Sequence, residues 1–405
     1  MGDIRQDFPI LQSHVNGQPL IYLDNAATMQ MPLPVQNRMR HFYEKENANI
    51  HRGMYSLSED ATFSYEEVRN IVRRYLSGGS GDEVIFTSGT TDAVNLVAGM
   101  AEPLLKQGDE ILITDMEHHS NYLPWRQLCA RRNLKLRIVR TDDQGQVDLD
   151  HLDRLLNEKV KLAAFTQLSN VTGIEPPVQD IIARIRKQTP AWILVDGAQG
   201  VVHCREPIPA LDCDFYCFSG HKLGAPAGTG VLYVKGSVFS LLRPVRFGGG
   251  TVNRVSEEEI LFVDGPAVFE PGTPNYAGVI GLGEALHYWE ERKEEFIRED
   301  FLLRALEQGL LEMDGVHILG KSAHRKGCLS VTIDGVHPYD FCRFLDLKGI
   351  AVRSGHLCAA PYLQALGTEH AIRFSVAPYN TLEEIEAVLE ACREVVQRLR
   401  KWQRS

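Results

Sequence analysis

The sequence predicts an α/β protein: a large domain on a mostly parallel seven-stranded sheet, followed by a smaller α+β C-terminal domain. Three observations carry this reading. The middle of the chain alternates short apolar runs with helical patterns. Several of those runs are apolar on both faces, as strands covered by helices must be. After about residue 265 the alternation gives way to one long helical stretch followed by strand, helix, strand and helix.

In order, the candidate strands are 84–87, 111–114, 136–139, 162–165, 192–195, 215–218 and 231–234. A helix is expected where Val68, Ile71, Val72, Tyr75 and Leu76 fall at i, i+3, i+4, i+7 and i+8, with Ser64 and Glu67 read as a capping box at its start. Another is expected from Ala93, Val94, Leu96 and Val97. In the smaller domain the helical stretch runs over about 278–312, then a strand at 329–333, a helix at 338–347 and a strand at 372–376. A final helix carries the stripe Ile385, Val388, Leu389, Cys392, Val395, Val396 and Leu399.

The chain has 405 residues, 44% of them apolar and 24% charged, which is globular composition. A net charge of −10 argues against a nucleic-acid surface and against a polybasic membrane anchor. No apolar run is long enough to span a bilayer, and the start lacks an apolar signal region. Eight cysteines without a CxxC pair favour free thiols in a reducing, cytoplasmic setting.

Five segments carry chemistry. Strand 215–218 ends directly in Ser219-Gly220-His221-Lys222. A lysine at a strand end can be desolvated and made nucleophilic, although a loop lysine read alone is a solvated charge. Asp196 follows the apolar run Ile193-Leu194-Val195, where a carboxylate is costly without a positive partner such as a pyridinium; read alone, it caps the next turn. Thr87-Ser88-Gly89-Thr90-Thr91 closes a strand and opens a helix, which suits a phosphate or an ordinary N-cap. Glu117-His118-His119 offers paired rings: no third ligand lies at a zinc spacing, no metal is expected, and stacking on a planar cofactor is the better functional reading. Finally, Cys358 sits in Arg353-Ser354-Gly355-His356-Leu357-Cys358, outside any apolar pattern, beside groups that can favour a thiolate.

Together these segments resemble the Suf-type (group II) cysteine desulfurases, in the class V aminotransferase family of pyridoxal-phosphate enzymes, fold type I. The resemblance runs from Tyr22-Leu23-Asp24-Asn25-Ala26-Ala27-Thr28 through Asn49-Ile50-His51-Arg52-Gly53, the five segments above, Ser169-Asn170-Val171-Thr172-Gly173 and Phe269-Glu270-Pro271-Gly272-Thr273-Pro274-Asn275. It implies an N-terminal arm (1–20) associated with the small domain, a large cofactor domain (21–265) and a small domain (266–405) carrying the cysteine loop. It implies that Lys222 holds pyridoxal 5'-phosphate covalently and moves the α-proton, that Asp196 pairs with the pyridinium, that Gln199 bonds the phenolic oxygen and that His119 stacks on the ring. Thr90, Thr91, Ser219 and His221 would hold the phosphate, with Thr273 joining from a partner subunit. Ala26, Asn170, Arg373, Arg353 and His51 would form the substrate side, with Arg373 and Asn170 on the carboxylate. Cys358 would be the nucleophile that takes sulfur from L-cysteine as a persulfide, leaving L-alanine.

By the same resemblance the enzyme is a cytoplasmic homodimer that passes sulfur to an acceptor protein of the Suf system for iron–sulfur cluster assembly. It involves neither nucleic acid nor membrane. The alternatives are a selenocysteine lyase acting on L-selenocysteine, another class V reaction, or a non-catalytic scaffold in a sulfur-assembly complex. This sequence departs from the family pattern at Leu357, where a second histidine is usual, at Asp92, and over 224–229, where Gly224 replaces a bulky ring.

Overall fold

All seven expected runs are strands of one sheet in the computed structural model, which describes residues 4–204, 207–322 and 324–402. They are β1 (Glu83–Thr87), β2 (Glu110–Thr114), β3 (Lys135–Val139), β4 (Val160–Thr166), β5 (Trp192–Asp196), β6 (Phe215–Ser219) and β7 (Gly230–Val234), in the spatial order β1-β7-β6-β5-β4-β2-β3. Strand β7 is antiparallel to both neighbours and the other pairings are parallel. Hence Thr87, Thr114, Thr166, Asp196 and Ser219 end their strands along one edge, and Gly230 starts β7 beside Thr87 and Ser219.

Alternation along each strand builds two cores. Phe86, Leu112, Phe165, Val195 and Phe218 face one side, and Ile85, Ile113, Ala164, Leu194 and Cys217 face the other. Helices α1 (Leu33–His41) and α2 (Ser56–Tyr75) lie on the first side, and α3 (Thr90–Ala101) covers the second. The capping-box reading at Ser64 is overturned: the helix begins a good two turns earlier, at Ser56, and Ser64 lies inside it. The expected 278–312 stretch is two helices, α4 (Tyr276–Glu291) and α5 (Glu295–Leu311). The break separates their allegiances. In α4, Leu282, Leu286 and Trp289 join the core of the large sheet. In α5, Leu302, Leu306 and Leu310 join a third core, formed with the smaller sheet.

That sheet is antiparallel, with β8 (Val316–Ile318), β9 (Cys328–Ile333), β10 (Arg353–Gly355) and β11 (Ala371–Ser375) in the order β8-β9-β11-β10. Helices α6 (Pro338–Asp346) and α7 (Leu382–Trp402) complete it. The N-terminal segment binds both parts: Phe8 packs on Trp289 and Tyr379, and Arg5 pairs with Glu384 at 2.6 Å. Residues 1–3 of the expected arm and 403–405 of the expected small domain lie outside the described residues. Among the described residues, no helix is long and apolar enough to cross a membrane.

Candidate active site

A cavity of about 500 Å³ opens where the strand ends of the large sheet meet the smaller sheet and the loop after β10. Its floor is built by β5 and β6. Asp196, the last residue of β5, is 2% exposed, and burial pushes its carboxyl up to about 6. The Ala198 N–H donates to Asp196 Oδ1 at 2.9 Å. A carboxylate so desolvated calls for a cation or a protonated ring nitrogen beside it.

Lys222 lies in the single 3₁₀ turn Gly220–Leu223 that follows β6. Its amine donates to the carbonyl of Ala26, which also accepts from Gln199 Nε2 at 2.8 Å. Burial, and after it the charge of Arg373, brings the Lys222 ammonium down to about 7. An amine titrating there is roughly half in the free form at neutral pH, far more than an ordinary lysine, and the free form is what attack on a carbonyl requires. The turn ends at Gly224 in the left-handed region (φ +71°), where a Cβ would stand 2.6 Å from the Gln30 carbonyl. This backbone geometry accounts for glycine at a position where the family usually carries a ring.

The start of α3 forms one wall. Thr90 N donates to Ser219 Oγ at 2.8 Å, the Thr90 and Ser219 hydroxyls are 2.9 Å apart, and Thr91 Oγ1 is 2.7 Å from Ser120 Oγ. Gly230 and Gly89 meet so closely that a Cβ on Gly230 would lie 2.4 Å from Gly89 Cα. His221 lines the same cavity, and burial, then Lys222, lowers its ring to about 4. Helix N–H groups, small hydroxyls and a neutral ring on one wall fit a phosphate. With Asp196 and Lys222 opposite, the residues present fit pyridoxal phosphate.

The histidine pair corrects the sequence expectation. The ring that lines the cavity is His118, not His119. Glu117 is fully buried and accepts from Thr114 Oγ1 and Asn121 Nδ2, both at 2.6 Å, and from Thr166 N at 3.2 Å. Burial pushes its carboxyl up to about 8. His118 Nδ1 accepts from Ser120 N at 3.1 Å, and burial, then Lys222, lowers the ring to about 4. His119 instead joins the cysteine loop. Its N–H donates to the Cys358 carbonyl at 2.7 Å, its Nε2 accepts from Ala360 N at 3.3 Å, and its ring lies 5.6 Å from that of His356. With Glu117 anchored beneath the sheet edge, the next two side chains diverge, and adjacency in sequence could not say which ring turns inward.

The opposite wall is basic. Arg373, 2% exposed, donates through Nη1 to the Asn170 carbonyl at 2.9 Å and through Nη2 to Asp24 Oδ1 at 3.1 Å. Its buried Nε has no hydrogen-bond partner among the described residues. Arg353 binds the same Asp24 carboxylate through Nε at 3.0 Å and Nη2 at 2.8 Å, which raises its own pKa. Asn170 Nδ2 donates to the Leu357 carbonyl at 2.9 Å, tying the cysteine loop to this wall. Leu357 and Cys358 are both left-handed (φ 52° and 53°), which turns Leu357 into the core and leaves Cys358 exposed on the rim. Among the described residues the eight cysteines form no disulfide, and of them Cys358 alone is exposed.

Two expected residues lie elsewhere in this chain. His51, left-handed at φ 73°, is on a separate depression with Gly272 and Pro274, the neighbours of Thr273. Neither His51 nor Thr273 lines the Lys222 cavity of its own chain. Three residues before Thr273, Glu270 is clamped by Arg69 of α2 at 2.7 Å.

The sequence profile of the family Aminotransferase class-V matches residues 21–388. A cysteine desulfurase of Synechococcus elongatus is 43% identical over 97% of this chain, which spans 63% of that relative's length. One from Dickeya dadantii is 42% identical over 95% of this chain and 94% of its own. Among solved structures, an apo cysteine desulfurase from Thermococcus onnurineus superposes with a TM-score of 0.92 at 36% identity, covering 98% of both chains. An Escherichia coli cysteine desulfurase in an S-sulfonic acid form gives 0.89 at 34% identity, covering 97% of both.

Proposed function

Because this chain belongs to the aminotransferase class-V family, we propose that it is a pyridoxal-phosphate-dependent cysteine desulfurase that moves the sulfur of L-cysteine onto Cys358 and releases L-alanine. The observation that carries this reading is the placement of a desolvated amine, Lys222, and an exposed thiol, Cys358, on the walls of one cavity.

When bound, the cofactor supplies an electron-poor ring that acidifies the substrate α-carbon and weakens the bond from Cβ to sulfur. Lys222 carries the cofactor and moves the α-proton at Nζ. Asp196 holds the proton on the ring nitrogen, and Gln199 bonds the phenolic oxygen. His118 takes the ring-stacking place expected of His119. Thr90, Thr91, Ser219 and His221 hold the phosphate. Arg373 and Asn170 receive the substrate carboxylate, the former by a two-pronged contact, while Arg353 and Ala26 line the approach. Cys358 Sγ attacks the substrate sulfur: the Cβ–S bond breaks, an S–S bond forms, and the enzyme thiol plus cysteine become a persulfide plus alanine.

His51 and Thr273 are assigned to the site of a second copy in a homodimer, which accounts for their distance from the cavity of their own chain. The persulfide then passes to an acceptor protein of the Suf system, in the cytoplasm, for iron–sulfur cluster assembly; exposure of Cys358 supports direct hand-over. The reading is tested by alanine release. Cofactor-loaded enzyme should form alanine from cysteine, and Cys358→Ala should retain its cofactor absorbance but stop turnover. Undiminished desulfuration by that variant would remove Cys358 from the mechanism.

A further inference from the structure

We propose that His119, His356 and Cys358 form a binding site for a thiophilic divalent cation, zinc above all, and that occupation of this site withdraws the nucleophile. The inference rests on the reading of Cys358 as the sulfur acceptor. One ring nitrogen of each histidine and Cys358 Sγ lie within 4.8 Å of one another. His119 comes from the turn after β2, and the other two come from the loop after β10, so no sequence spacing reveals the set. The two segments are already joined by the His119 N–H on the Cys358 carbonyl and by the Ala360 N–H on His119 Nε2.

The donor set is two imidazoles and a thiol with no carboxylate, which selects zinc-like ions over magnesium or calcium. Bonds of about 2.0–2.3 Å to nitrogen and sulfur place tetrahedral ligands roughly 3.5 Å apart, so the three must close by about 1 Å. The exposed Cys358 side chain at the rim can supply that movement. His356 Nδ1 now accepts from Cys358 N at 3.0 Å, and His119 Nε2 from Ala360 N at 3.3 Å. The ion exchanges such backbone contacts for metal–nitrogen bonds. Leu357, buried, offers no ligand, which leaves the fourth position to water or to an incoming thiol. Binding breaks the S–H bond of Cys358, forms the metal–sulfur bond and releases one proton to solvent, with no change of oxidation state.

The experiment uses the cofactor-loaded enzyme without substrate. Zinc is titrated, and alkylation of Cys358 is followed by peptide mass; cobalt is titrated in parallel for the visible bands of a four-coordinate ion. Zinc should protect Cys358, a chelator should restore alkylation, and His119→Gln and His356→Gln should each weaken protection more than about tenfold while Cys358 still alkylates without metal. Absence of protection, or protection unchanged in both variants, would overturn the proposal. Failure of the desulfurase reading is seen separately, as the absence of a persulfide on metal-free enzyme given cysteine.

Discussion

Arg353 and Arg373 stand directly opposite each other on adjacent antiparallel strands and share one carboxylate, that of Asp24. Like charges so paired repel, and the Asp24 carboxylate, from the segment bridged to Ser375, lies between them and offsets one of the two charges while bonding to both. The Asp24 carboxylate thus sets the position of two guanidiniums, Arg373, proposed to receive the substrate carboxylate, and Arg353, proposed to line its approach.

Asp24→Asn is therefore expected to destabilise the protein on the order of 3 kcal/mol, because Arg373 would be left buried with a weakened partner. The contribution of Arg353, about half exposed, is small. Denaturant unfolding measures the loss, and the KM for cysteine should rise more than kcat falls.

Lys222 gives a pH signature. Its folded pKa, about 7, lies below the ordinary 10.5, so between those values the unfolded chain holds a proton that the folded chain has lost. Stability of the cofactor-free protein should thus rise with pH across that window. The penalty is fully present below about 7 and relieved towards 10.5. Lys222→Met should remove this part of the pH dependence, read as unfolding midpoints over a pH series. An unchanged slope would place the lysine in an ordinary solvated setting.

The two histidines separate by readout. His118→Ala should perturb the cofactor absorbance and slow turnover by roughly 100-fold or more. His119→Ala should leave that absorbance in place and alter the alkylation rate of Cys358, since its contacts are with the cysteine loop.

Much of this was legible in the sequence because strands apolar on both faces announce a covered sheet, and because Asp196 and Lys222 follow such strands immediately. What was hidden came from long-range packing. The step from His118 to His119 depends on how Glu117 is anchored by Thr114, Asn121 and Thr166. Asp24 gave no signal of its own, since its partners lie some 330 residues away. The split between α4 and α5 is a change of core, which one continuous helical pattern conceals.

Gly224 tests the backbone account of the unusual turn. Gly224→Ala forces a Cβ towards the Gln30 carbonyl at a left-handed position and should cost about 1–2 kcal/mol or more, seen as a lower Tm. A neutral substitution would show that the turn relaxes freely.

In the proposed reaction, sulfur leaves cysteine for one thiol at the cavity rim. This transfer is measured most directly by incubating cofactor-loaded protein with cysteine in the absence of reductant and weighing the peptide that contains Cys358. This peptide should gain the mass of one sulfur atom, and the peptides of the other seven cysteines should not. Alanine formation with an unmodified Cys358 peptide, or sulfur carried on another cysteine, would contradict the proposed reaction.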